Sequence, residues 1–216
     1  MQRARSAEDK ARRAEDLLRA AEAVALELGG VRHITLAAVT KQAGLHQTGL
    51  RRYHASREQL LLELAERGWG QWRDAVRGET AERTGLTPVQ TAAVVSRTLT
   101  SLPVFCDLLT HAVLHLEGDV DIERARRYKA SATAARDDIA AALDRASVLT
   151  LEQIISLLAV AGFVAAGLWQ VSNPTPTLAR LYEEEPRWGQ AGADIGPRLD
   201  AVLTTFATGL AAAATG

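Results

Sequence analysis

Residues 34 to 58, ITLAAVTKQAGLHQTGLRRYHASRE, constrain this chain more than any other stretch. Thr35 offers a side-chain acceptor in front of an apolar-patterned run. The spacing therefore predicts a helix from Leu36 to about Gln42, with Leu36 and Val39 turned inward. Ala43-Gly44-Leu45 follows, and the glycine permits the positive φ of a tight turn. A second short helix is expected over about Gln47 to Tyr53. Ser56 stands three residues before Gln59, the pattern of a capping box that opens another helix. Two short helices across a glycine turn make a helix-turn-helix. His46, Gln47, Thr48, Arg51, Arg52 and Tyr53 all fall on or just before the second helix. A polar, basic helix in that position makes double-stranded DNA the first partner to consider.

Charge is distributed in keeping with that reading. The whole chain of 216 residues carries a net charge of -1, but residues 1–58 hold eleven bases against seven acids. The head is thus +4 and the remainder -5, as expected for a nucleic-acid module joined to a part that does not touch nucleic acid. The length is enough for a sizeable core. Alanine and leucine dominate and β-branched runs are scarce, so an all-α chain is expected. With the single cysteine Cys106 no internal disulfide can form, and a reducing, cytoplasmic setting is the simple reading. The charged N-terminal stretch has no apolar run behind it and does not read as a secretory signal.

Helical periodicity continues through the rest of the chain. Leu17, Leu18, Ala21, Val24, Ala25 and Leu28 share one stripe of a first long helix from about Ala7, stopped by Gly29-Gly30. The helix opened by Ser56 runs through Leu60, Leu64, Trp69, Trp72 and Val76, with a linker expected over Arg77 to Thr87. Thr87-Pro88 opens a helix to about Thr100, and Pro103 opens another reaching Leu116. After a turn at Gly118 to Asp121 a long helix extends from about Ile122 to Ser147. Leu151 to Val171 is the most apolar helix. Its uncharged run, Ile154 to Trp169, is shorter than the ~20 apolar residues of a membrane span and lacks basic flanks, so burial on most sides is expected instead. A short helix at Leu178 to Glu184 and a last one from Ile195 to Leu210 complete the chain.

The long first helix, the pattern T-x-x-x-V-x-x-x-A-G-L from Thr35, the short reading helix and A-S-R-E-x-L-L from Ala55 resemble the TetR family of bacterial transcriptional regulators. The likeness by motif covers about residues 14 to 64. Two positions depart from the family pattern: Arg51 stands in place of a tyrosine, and His54 in place of a core phenylalanine. Leu50 and His54 are four apart on the inward face. Either His54 is hydrogen-bonded in a partly buried place or the helix is rotated slightly.

The resemblance implies a homodimer with a three-helix head (1–58) and a larger helical body (59–216) for dimerisation and ligand binding. Repression of a palindromic operator, relieved by a small-molecule effector, is the family's common mode. Phosphate contacts are expected from Thr35, Lys41, Arg51, Arg52, Tyr53 and Arg57. Base contacts are expected from His46, Gln47 and Thr48. The helices Leu151–Val171 and Ile195–Leu210 offer the best dimer surface. For the effector, Phe105, Leu109, His115, Tyr128, Phe163 and Trp169 are the candidates. His111 and His115 are spaced i, i+4 but lack a third ligand, so no metal or cofactor is expected. No nucleophile–base pair or phosphate loop suggests an enzyme. The other reading is a helical small-molecule-binding protein or adaptor without DNA binding.

Overall fold

The computed structural model describes residues 2–45, 56–189 and 194–213, with side chains from Arg12 onward. Among these residues every regular element is helical. They are α1 (Gln2–Leu28), a 3-10 turn (Val31–His33), α2 (Leu36–Gln42), α3 (Arg57–Thr80), α4 (Pro88–Thr100) and α5 (Pro103–His111). A π-helical turn (Ala112–Leu116) continues α5 and is followed by α6 (Ile122–Ala146), α7 (Leu151–Ser172), α8 (Pro176–Glu184) and α9 (Ile195–Ala213). The expected segment from His46 to Ala55 lies outside the described residues.

The caps expected at Thr35, Ser56 and Thr87 form, and Thr150 adds one beyond those expected. Thr35 accepts from the Ala38 amide at 3.1 Å and Ser56 from the Gln59 amide at 3.2 Å. Thr87 with Gln90 and Thr150 with Gln153 both form complete capping boxes. Gly44 adopts φ +64 in the turn after α2, a conformation any other L-residue would resist. The linker is shorter than its composition suggests, because α3 continues to Thr80 and packs Val76 and Thr80 inward.

Two apolar cores share α3. Leu60, Leu61 and Leu64 pack with Leu17, Val24, Ile34 and Val39, and this head core extends to Leu108 and Leu116 of the α5 region. Trp72 and Val76 belong to a second core with Leu99, Ile139, Leu143, Ile154, Leu157, Leu199 and Leu203. Polar ties fix the outer faces of α3. Arg67 pairs with Glu15 of α1 at 2.6 Å, and Arg124 of α6 grips both Glu66 oxygens at 2.8 and 3.2 Å.

The apolar helix α7 differs from its expectation. Ile154, Leu157, Leu158, Ala161 and Ala165 are buried on the body core. The opposite side is open: Leu151 is 47%, Ile155 43%, Phe163 76% and Val171 44% exposed. By length and composition alone α7 could cross a membrane, but one side of it is a core helix of the body. Burial on most sides therefore fails because too few of the chain's own elements cover α7.

Candidate functional site

The head is organised around the 3-10 turn between α1 and α2. Arg57 is its clasp: its Nε donates to the Ile34 carbonyl at 2.7 Å and its Nη2 to the Val31 carbonyl at 2.9 Å. This guanidinium therefore fixes the start of α3 against the entry to α2. Any phosphate contact by Arg57 would come from its remaining Nη1, which stands 3.7 Å from Glu58. Thr35 is exposed at the N-terminus of α2, where free amides point outward, and Lys41 is exposed on its last turn. His46, Gln47, Thr48, Arg51, Arg52 and Tyr53 lie outside the described residues.

A cavity of about 640 Å³ opens in the body, between α3, the α5 region, α6 and α7. That is the size of a site for a drug-sized molecule. Leu109, Val113 and Leu114 form one wall, Tyr128 and Ala132 a second, and Leu158, Phe163 and Ala166 a third. Gly162 and Gly167 also border it, and their missing side chains leave open space. The π turn contributes Ala112, Val113 and Leu114, with the Glu117 amide reaching back to the Ala112 carbonyl at 3.2 Å. An inserted π turn re-aims side chains, and such turns recur at functional sites.

Several polar groups of the wall are engaged. Trp69 donates from Nε1 to the Tyr128 hydroxyl at 3.4 Å. Burial pushes the Tyr128 phenol up to about 12, against the lowering influence of the Trp69 bond, so it remains neutral and a potential donor. Thr110 donates to the Ala166 carbonyl at 3.3 Å. At the rim Lys129 pairs with Glu117 at 2.7 Å, and Arg136 with Asp137 at 2.8 Å. The interior is thus apolar and its charges are paired.

Leu109, Tyr128 and Phe163 are the expected effector contacts that border the cavity. The other three lie elsewhere. Phe105 is buried in the body core against Trp69, 5.2 Å between ring centres. His115 is exposed on the far side of the π turn. Trp169 is partly buried against the body core. Periodicity marks these three as large side chains on helical faces, but a π turn and two adjoining cores decide which face meets the cavity. Sequence reasoning also passed over Asp107 and Gln170. Asp107 is only 3% exposed, and its one available signal is a carboxylate within the apolar run Val104 to Leu109.

Asp107 joins the head to the cavity wall. Its Oδ2 accepts from the Val31 amide at 2.7 Å and its Oδ1 from Gln170 Nε2 at 2.8 Å. His111 Nε2 stands 3.4 Å from Oδ1, without hydrogen-bond alignment. Burial pushes the Asp107 carboxyl up, but His111, Val31 and Gln170 together outweigh it and hold the group below its ordinary value. Among the described residues no three His, Cys, Asp or Glu converge as metal ligands would.

A capped α2 with its Gly44 turn, seated on a larger helical body with an apolar cavity, fits a helical transcriptional regulator. A crystal structure of a TetR transcriptional regulator from Rhodococcus sp. RHA1 has the same fold, with a TM-score of 0.55 at 16% identity over 92% of this chain and 94% of that one. The family model for the tetracyclin repressor-like C-terminal domain matches residues 66–214, and the chain belongs to the TetR family. No curated protein matches in sequence.

Proposed function

We propose that this chain is a DNA-binding transcriptional repressor that leaves a palindromic operator when a small, largely apolar molecule fills the body cavity. The observation that carries the reading is the pairing of a capped α2 and glycine turn, clasped by Arg57, with a 640 Å³ apolar cavity in one chain. Thr35, Lys41, Arg51, Arg52 and Tyr53 supply phosphate contacts, and His46, Gln47 and Thr48 reach base edges. A single head would bind weakly, so the unit on DNA is a homodimer whose reading helices stand about 34–36 Å apart or a multiple of that. The exposed apolar side of α7 together with Val202 of α9, 42% exposed, supports a second copy seated there. The protein works in the cytoplasm with no membrane role.

A gel shift over a salt series tests the reading, using DNA from around the chain's own gene. A steep salt slope and a protected palindrome are expected. Gln47→Ala should change base preference at a cost of ~1–3 kcal/mol, whereas Arg51→Ala should weaken binding to all sequences. No shift at low salt refutes the function and favours a binding protein or adaptor that keeps the fold. Sedimentation should give a dimer at micromolar concentration and a monomer for Ile155→Glu; a monomeric unmodified chain refutes the dimer.

A further inference from the structure

The cavity and the head are separated by packed helices, yet one polar path, buried at its centre, crosses between them. It begins at Gln170, which borders the cavity on α7. The Gln170 amide donates to Asp107 at 2.8 Å, and Asp107 in turn accepts from the Val31 amide at 2.7 Å. Val31 is fully buried and begins the 3-10 turn of the head. Its carbonyl accepts from Arg57 at 2.9 Å, and Arg57 opens α3 directly behind the reading segment. A second tie joins the same two regions. Arg32 Nη2 lies 3.4 and 3.5 Å from the carbonyls of Asn173 and Pro174, just past α7.

The path is built for a carboxylate. Gly30 holds φ +145, and a Cβ there would come within 3.1 Å of Asp107 Oδ2, so a side chain at this position would crowd the Val31–Asp107 bond. His111 adds a contact from the base of the π turn, whose next three residues border the cavity. Two cavity walls therefore converge on one side chain. A buried carboxylate needs its donors, because losing one leaves desolvated charge without compensation. An apolar contact fades gradually with displacement, whereas a hydrogen bond to a buried charge is lost over a small rotation.

We propose that Asp107 is the positioning residue through which the cavity sets the head: Gln170 donating to Asp107 holds the 3-10 turn in the DNA-binding arrangement, and a ligand that draws the Gln170 amide to itself releases it. This rests on the repressor reading above. It adds a ligand chemistry, since the effector must present a hydrogen-bond acceptor beside Gln170 on an otherwise apolar frame. By reciprocity, DNA that fixes the turn keeps Gln170 on Asp107 and weakens that ligand.

The test uses the full chain without ligand. Gln170→Leu removes the donor, and Gln170→Glu sets a second carboxylate against Asp107. Exchange of the Val31 amide is measured under native conditions relative to the Leu143 amide of the body core, alongside affinity for the gel-shift duplex. Both variants should speed Val31 exchange by about fivefold or more relative to Leu143, and weaken DNA binding by a similar factor, the scale of a typical coupling. Unchanged Val31 exchange in both variants overturns the proposal whatever the DNA result. Faster exchange with undiminished DNA affinity overturns it as well. Faster exchange in a chain that binds no DNA even unmodified sustains the joint and removes the repressor reading instead.

Discussion

Gly68 sits mid-helix on α3, with Phe105 pressed onto its backbone. A Cβ at this position would lie 2.3 Å from Phe105 Cδ2, 2.7 Å from Cγ and 2.9 Å from Cβ. Carbon atoms in contact rest at about 3.5–4.0 Å, so Gly68→Ala requires the phenylalanine to move by more than about 1 Å. It has little freedom to do so. Trp69 meets it edge-on and Trp72 lies 6.2 Å away. Those indoles are themselves held by bonds to Tyr128 at 3.4 Å and Thr98 at 3.1 Å.

Overpacking a rigid core costs about 1–3 kcal/mol, and the proximity here argues for the upper end. Alanine in place of glycine returns about 1 kcal/mol of helix propensity. The net loss is therefore ~2 kcal/mol. Urea denaturation should register it as a midpoint lowered by ~0.7–1 M, given a slope of about 2–3 kcal/mol/M. The double variant Gly68→Ala/Phe105→Leu distinguishes a steric cause from a general one. It should be more stable than the two single losses add up to, by about 1 kcal/mol. A Gly68→Ala protein as stable as the parent, or strict additivity in the double variant, would show that Phe105 yields freely and refute the reasoning.

Cys106 is fully buried and donates to the Leu99 carbonyl at 3.3 Å, and burial pushes its thiol up to about 12; a thiol reagent at neutral pH should leave it untouched until denaturant is added. Arg124→Met should destabilise the chain by about 2–3 kcal/mol in the same denaturation, less than the ~3–5 kcal/mol of a fully buried broken pair, because the Glu66 side chain keeps 23% exposure. The depressed Asp107 carboxyl stabilises the head–body joint above the ordinary carboxylate range and loses that effect only as pH falls through its lowered folded value. Asp107→Asn should therefore lower the melting temperature above the ordinary carboxylate range, and the gap to the parent should close in stronger acid, below the lowered folded value; a gap that persists undiminished in strong acid would contradict this.

What was legible in the sequence was what neighbours along the chain decide. Thr35, Ser56 and Thr87 cap helices because each is a short polar side chain within reach of an amide three residues on. The cores of head and body follow most of the apolar stripes of α1, α3 and α9, although Leu28 and Val202 stand exposed. The cavity was legible only in part. Leu109, Tyr128 and Phe163 border it, but the π turn after His111 breaks the 3.6-residue rhythm, so extrapolation along the helix sends His115 to the wrong side. The exposed side of α7 was illegible for a related reason. An uncharged run has no polar face to mark which side meets water, so composition read as burial where the structure leaves Phe163 open.

Asp107 shows where such reading stops. In sequence it is one acid among Val104, Phe105, Cys106, Leu108 and Leu109, and its helical position is inward. Local rules can say that a buried carboxylate must find donors. They cannot say that the donors stand 76 residues earlier, at the Val31 amide, and 63 residues later, at Gln170. One of those donors is a backbone group with no signature in any side chain. The other is an ordinary glutamine at the end of an apolar helix. Their meeting depends on where α1 ends, on Gly30 leaving room, and on α7 lying across α5, all of which are settled by packing over the whole chain. A substitution that alters any of these should therefore act on the same joint as Asp107→Asn, although none of them is near it in sequence.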